Sequence, residues 1–245
     1  MNHHHCLNCE QSLAGNFCTH CGQKAATHRY SVQHFVVHDL VHGIWHVDKG
    51  LPYTIKELFT RPGHSVREFI TGKRTRHFNY ITLLLLLIGF SLFLGSISGI
   101  RLADLSPEKS RAVMSDVENF TSKYPKIVPL ISILVNSLFS FLWFRKAKLN
   151  TTEHLVLNTY KTCAEVMMEL VFTLLCIVYH DKHVLYLLYN VLSLLTIAYG
   201  AWFYGQFFSV YGYSRNGLVL RSIMVPVSQS LFYVVIGIVA AILAK

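Results

Sequence analysis

Residues 78–100 read FNYITLLLLLIGFSLFLGSISGI, without a single Asp, Glu, Lys or Arg. A run of about 18 or more such residues can cross a hydrocarbon core of roughly 30 Å as a helix. Three further charge-free stretches follow, at 127–144, 184–214 and 222–244. Residues 160–179 add another apolar helix pattern, interrupted by Lys161, Glu165 and Glu169. At about 1.5 Å per residue, 184–214 is too long for one straight crossing. Its helix is therefore expected to end near Phe208, leaving Tyr211-Gly212-Tyr213-Ser214 in a loop. The pattern predicts an all-α membrane protein with five spans, at about 79–100, 127–144, 160–179, 184–208 and 222–244.

Composition points the same way. Of 245 residues, 52% are hydrophobic and 14% charged, against about a quarter charged in a soluble domain, which excludes a soluble enzyme. The segment before the first span is polar and is not expected to act as a cleavable signal peptide. Lys and Arg retained inside set the orientation. With the N-terminus in the cytoplasm and the C-terminus outside, 15 lie inside and 7 outside. The net charge of +9 then suits a membrane surface, with no nucleic acid expected. In the outer loop, Ser106-Pro107-Glu108 opens a short helix that carries Val113, Val117, Phe120 and Tyr124 to Pro125. No internal repeat is evident.

Residues 1–30 hold the clearest chemical signal. Cys6-Leu7-Asn8-Cys9 and Cys18-Thr19-His20-Cys21-Gly22 form two Cys-x-x-Cys pairs eight residues apart. Each pair presents two thiolates in one direction, and together they complete a tetrahedral Zn²⁺ site. Gly15 and Gly22 suit the tight turns. So short a segment has no apolar core of its own, so metal binding would supply its folding energy. Four cysteine ligands close the coordination sphere, making the site structural. His3-His4-His5 and His20 lie beside it, while Cys163 and Cys176 fall in the third span as small buried residues.

Residues 31–78 form a juxtamembrane collar. His34, His38, His42 and His46 are four apart, opposite Val37, Leu40, Val41 and Ile44, as in a helix lying on the membrane surface. His38-Asp39-Leu40-Val41-His42 also has the spacing of a zincin helix, with His46 a turn later, so a second metal site stays open. Thr54-Ile55-Lys56-Glu57 and Ser65-Val66-Arg67-Glu68 read as capping boxes opening two short helices around a turn at Thr60-Arg61-Pro62-Gly63. Gly72 closes the second helix. Lys73, Arg74 and Arg76 follow, placed to meet lipid headgroups.

The order of knuckle, His-rich helix, Asp48-Lys49-Gly50, Tyr53-Thr54, Arg61-Pro62-Gly63, Arg67-Glu68-Phe69 and Gly72-Lys73-Arg74 resembles an uncharacterised family of small bacterial membrane proteins with an N-terminal zinc ribbon. The likeness covers residues 6–80, with weaker echoes at Glu153-His154-Leu155-Val156 and Tyr211-Gly212-Tyr213-Ser214. It implies the bacterial cytoplasmic membrane and no particular reaction. In that family the ladder commonly carries Glu where this chain has Asp39.

Three functions fit the residues. The leading one is non-enzymatic: an adaptor or assembly factor whose ribbon and collar meet a cytoplasmic protein partner or the lipid bilayer. A transporter or pore would instead use Glu165 and Glu169, with Asn136, Asn190, Gln206 and Gln229 as further intramembrane polar groups. A membrane metallohydrolase would centre on His38, Asp39 and His42.

Overall fold

A computed structural model of the protein describes residues 5–27, 50–99 and 101–243. The histidine ladder, with His38, Asp39, His42 and His46, lies outside the described residues. Among the described residues the chain is helical apart from the knuckle segment, where two isolated β-bridges occur.

Two short helices, α1 (Leu51–Thr60) and α2 (Pro62–Thr71), form the collar. Neither begins at a capping box. Pro52 and Pro62 set the first turns, where a missing N–H costs nothing. Thr54 and Ser65 therefore stand inside helices, and their hydroxyls bond to distant chain instead. Thr54 Oγ1 accepts from the Phe78 N–H at 2.7 Å, and Ser65 Oγ bonds His77 Nε2 at 2.8 Å. Arg61-Pro62-Gly63 is a joint between helices more than a loop. Gly72 does end α2, in the left-handed region at φ 117°, and the Lys73 N–H donates to Glu68 O beyond it.

Next come α3 (Tyr80–Ser98), the one-turn α4 (Leu102–Leu105), α5 (Glu108–Lys123) and α6 (Ile127–Trp143). A 3₁₀ turn at Arg145–Ala147 leads to α7 (Thr151–Val178), α8 (Lys182–Phe208) and α9 (Arg215–Leu243). Asn79 caps α3, Asp181 caps α8, and Asn150 with Glu153 forms a true capping box on α7. The expected outer-loop helix is present as α5.

Helix α7 is central, packed against α3, α6 and α8, while α9 covers α8 and α6. The collar helices rest on one end of this bundle, α2 mainly against α8. Phe69 of α2 meets Tyr160 and Tyr80 edge-on, with ring centroids 5.2 and 6.0 Å apart, where α2, α3 and α7 converge. The outer faces carry Leu86, Phe90, Phe93, Leu187, Leu194 and Leu231, all exposed. Large apolar side chains turned outward along whole helices are what a lipid environment requires.

Among the described residues, three helical segments are long and apolar enough to cross a membrane: Tyr80–Ser98, Lys182–Phe208 and Arg215–Val235. A fourth is reached if Arg111–Lys123 and Ile127–Trp143, bent by 102°, form one broken span. This falls short of the five expected, for two physical reasons. Helix α6 is only 17 residues long, and α7 carries its ionisable residues in the middle of its length.

Candidate metal centre and intramembrane cleft

The knuckle segment consists of two matched loops. The Cys6 N–H donates to Gln11 O and the Glu10 N–H to Cys6 O; twelve residues on, Cys18 donates to Gln23 O and Gly22 to Cys18 O, all at 2.8 Å. The flanking bridges, His5 with Ser12 and Phe17 with Lys24, repeat at the same offset. A structural repeat at an offset of twelve is thus present, and Cys-x-x-Cys-x-Gln recurs with it at 6–11 and 18–23. Each loop needs a left-handed residue directly after its second cysteine, supplied by Gly22 (φ 74°) and Glu10 (φ 63°). Gly15, expected at such a turn, does not adopt a positive φ.

The loops bring four free thiols together. The Sγ atoms of Cys6, Cys9, Cys18 and Cys21 all lie within 4.8 Å of one another, with Cys6–Cys21 and Cys9–Cys18 at 3.5 Å. Four thiolates about 2.3 Å from one tetrahedral ion would stand about 3.8 Å apart, so this set can hold a metal ion. Burial raises the Cys21 thiol, but the Gln23 backbone and the Asn8, Cys6 and Cys9 groups draw it down to about 6. Cys9 is pushed up to about 12: the Gln11 backbone lowers it, and burial and the neighbouring thiols outweigh that. Thiolates so close repel, and a cation relieves that repulsion.

Gln23, a residue the sequence pattern does not single out, fastens the knuckle to the collar. It is 6% exposed. Its Nε2 donates to Gly72 O at 2.8 Å, and its Oε1 accepts from the Arg74 N–H and Thr75 Oγ1 at 3.2 and 3.0 Å. Leu7, between the first two cysteines, packs so closely on Gly72 that a Cβ there would lie 2.8 Å from its Cδ1. Of the three headgroup candidates, Arg74 also donates Nε–H to Phe69 O at 3.3 Å and sits over the Phe69 ring. Lys73 and Arg76 line a recess with Cys9, Cys21, His20 and His77.

The collar is fastened in turn to α8. A Cβ on Gly63 would lie 2.3 Å from Phe207 N, so only glycine lets α2 approach this closely. The Gly63 N–H donates to Gln206 Oε1 at 3.2 Å, which gives Gln206 a clamping role. Arg67 Nη1 donates to the carbonyls of Gln206 and Phe207 at 2.9 Å each, capping the α8 end where helical donors run out. Arg61 pairs with both Glu57 and Glu68. His77 is held down to about 4, chiefly by burial, with Glu68 opposing and Arg61 assisting.

Inside the bundle, Lys161 is 0% exposed and pairs with Glu165. Its Nζ lies 5.9 Å from the centre of the Tyr204 ring. The Tyr204 hydroxyl donates to Asn158 Oδ1, and Asn158 Nδ2 donates to His154 O at 2.7 Å and Ser140 Oγ at 3.0 Å. One turn beyond Glu165, Glu169 lines a cleft of about 340 Å³ bounded by α6, α7, α8 and α9. Gln229 belongs to this cleft, donating to Ser132 Oγ at 3.0 Å. Asn136 is fully buried nearby, whereas Asn190 merely donates to Tyr186 O on its own helix.

Three to four membrane-competent helices among the described residues and a four-cysteine cluster able to hold a metal ion mark a membrane protein whose N-terminal appendage has the donor set for a metal. Residues 48–92 match the model of a family described as "Protein of unknown function (DUF3667)". That segment comprises the collar and most of α3, and it contains Arg61-Pro62-Gly63, Arg67 and Gly72; the four clustered cysteines lie before it. No curated protein and no solved structure matches the chain.

Proposed function

We propose that the protein is a non-enzymatic adaptor or assembly factor of the bacterial cytoplasmic membrane, whose zinc-bound knuckle presents a rigid platform to a cytoplasmic protein partner. The observation that carries this is mechanical continuity. Gln23 bolts the knuckle to Gly72 and Thr75, and Arg67 and Gly63 bolt the collar to α8. A partner held by the knuckle is thereby held in fixed register with the bundle. Phe17, 59% exposed on the knuckle, supplies the kind of aromatic anchor that dominates binding energy at interfaces.

Zinc is the favoured ion because an all-cysteine tetrahedral set in a reducing compartment suits it, and a closed set leaves no position for substrate. Five spans, N-terminus in and C-terminus out, remain the preferred topology. The excess of Lys and Arg on the collar side supports it. So does the placement of α7 at the bundle centre, where Lys161 is shielded from lipid. Lys73 and Arg76 then face the inner-leaflet headgroups.

A photo-reactive amino acid at position 17, activated in cells, tests the platform. One discrete protein adduct is expected, lost when Cys21→Ser removes the metal. Labelling that is diffuse, or that survives Cys21→Ser unchanged, would overturn the reading.

A further inference from the structure

The cleft between α6, α7, α8 and α9 carries chemistry that the adaptor reading does not use. Its charges do not cancel. Lys161, fully buried one turn before Glu165, is committed to it. Among the described residues no cationic side chain pairs with Glu169, which is exposed and lines the cleft. One carboxyl group without a cationic partner is therefore left over on the central helix.

The hydroxyls around it are oriented alike. Ser193 Oγ donates to Tyr189 O, Thr196 Oγ1 to Ser193 O, and Ser230 Oγ to Pro226 O, each bond at 2.9–3.0 Å within its own helix. A hydroxyl has one hydrogen and two lone pairs. With the hydrogens spent on backbone carbonyls, these oxygens are left as acceptors. Gln229 donates one of its two amide hydrogens to Ser132, and its amide oxygen is left as an acceptor. Thr162 points the same way independently. It is 4% exposed, it lines the cleft, and its Oγ1 has no hydrogen-bond partner among the described residues. An unpaired buried hydroxyl is costly, so its retention in the lining of the same cleft as the unpaired carboxylate points to a missing donor or ion.

We infer that the cleft binds a small monovalent cation, with Glu169 as counter-charge and Thr162 among its oxygen ligands. Oxygen donors without sulfur or imidazole select hard cations, and a single uncompensated carboxylate selects one positive charge. The volume admits an alkali ion with its waters or a small protonated amine, which share this chemistry. The inference stands apart from the platform reading and would survive its failure.

The test uses the purified full-length protein in detergent. Its thermal midpoint is followed in NaCl, KCl or methylammonium chloride, each balanced to constant ionic strength with N-methyl-D-glucamine chloride. A saturable rise is expected with at least one small cation, and which cation saturates separates alkali ion from amine. Glu169→Gln, similar in shape but uncharged, should raise the half-saturating concentration at least tenfold, and Thr162→Val several-fold. No saturable response to any of the three cations would overturn the proposal, as would wild-type responses in Glu169→Gln. If Glu169→Gln is not recovered folded, an unchanged half-saturation in Thr162→Val overturns it.

Discussion

In the collar, most polar side chains spend their bonding capacity on other parts of the chain, with His77 Nδ1 an exception: Gln23 on Gly72, Arg74 and Thr75, Thr54 on Phe78, Arg67 on the end of α8. In the cleft the same residue types leave capacity over, since Thr162 Oγ1 has no partner and Glu169 no counter-charge among the described residues. Paired polar groups fix a geometry, whereas unpaired buried ones cost stability and persist where a ligand completes them. The collar is accordingly built as structure and the cleft as a site.

The comparison breaks most readily at the closest backbone approach. Gly63→Val would force side-chain atoms into Phe207 and Phe203 of α8, where a Cβ already lies at 2.3 and 2.4 Å. Separating α2 from α8 should cost about 3 kcal/mol or more, read as rapid amide exchange throughout α1 and α2. Protection like that of the wild type would mean that the collar is not held by this contact.

Acid should loosen the collar next. His77, bonded to Ser65 and set between the rings of Tyr53 and Phe69, is held down to about 4 by burial, with Glu68 and Arg61 acting in opposite senses. The unfolded imidazole takes up a proton below about 6.5, and the folded one only near 4. Stability is therefore full above pH 6.5 and falls between 6.5 and 4, by at most about 3 kcal/mol. His77→Gln should flatten collar stability across that window, and an unaltered pH profile would place the sensitivity on another group.

Gln23→Ala is expected to cost about 1–3 kcal/mol, because it strands the Gly72 carbonyl and the Arg74 N–H. It should raise amide exchange at 72–75 while metal content stays constant, separating docking of the knuckle from its folding. Metal loss in this variant would merge the two. The smallest effect belongs to the cleft: Glu169→Gln in cation-free buffer should change stability by less than about 1 kcal/mol, or raise it, since it removes a charge without a partner. A large loss would show that Glu169 is structural and that the two regions do not differ as described.

What could be read in the sequence follows from how local each signal is. The charge-free run at 78–100 yields α3, and the cysteine spacing yields the thiol cluster, because both depend on residues close along the chain. Gly72 was legible for the same reason, as the end of its own helix. The capping boxes misled because Thr54 and Ser65 match a local template while their hydroxyls bond to Phe78 and His77, 24 and 12 residues away. Glu10 was hidden because a left-handed Glu carries no mark in sequence, whereas glycine at 15 drew the expectation. Gln23 sits in a polar stretch, and its partners lie 49 to 52 residues on. Glu169 was conspicuous as an ionisable residue in an apolar helix, but the acceptor lining around it needs α6, α8 and α9 in place.

Metal content and collar protection, measured together on purified wild type and Cys21→Ser, bear most directly on the stapled platform. Elemental analysis should find one zinc per wild-type chain and none in the variant. Amide exchange at 5–27 and 72–75 should become fast in the variant, while α3, α7 and α8 keep their protection. A wild-type protein without metal, or a variant with the same metal content and the same protected knuckle, would contradict the account.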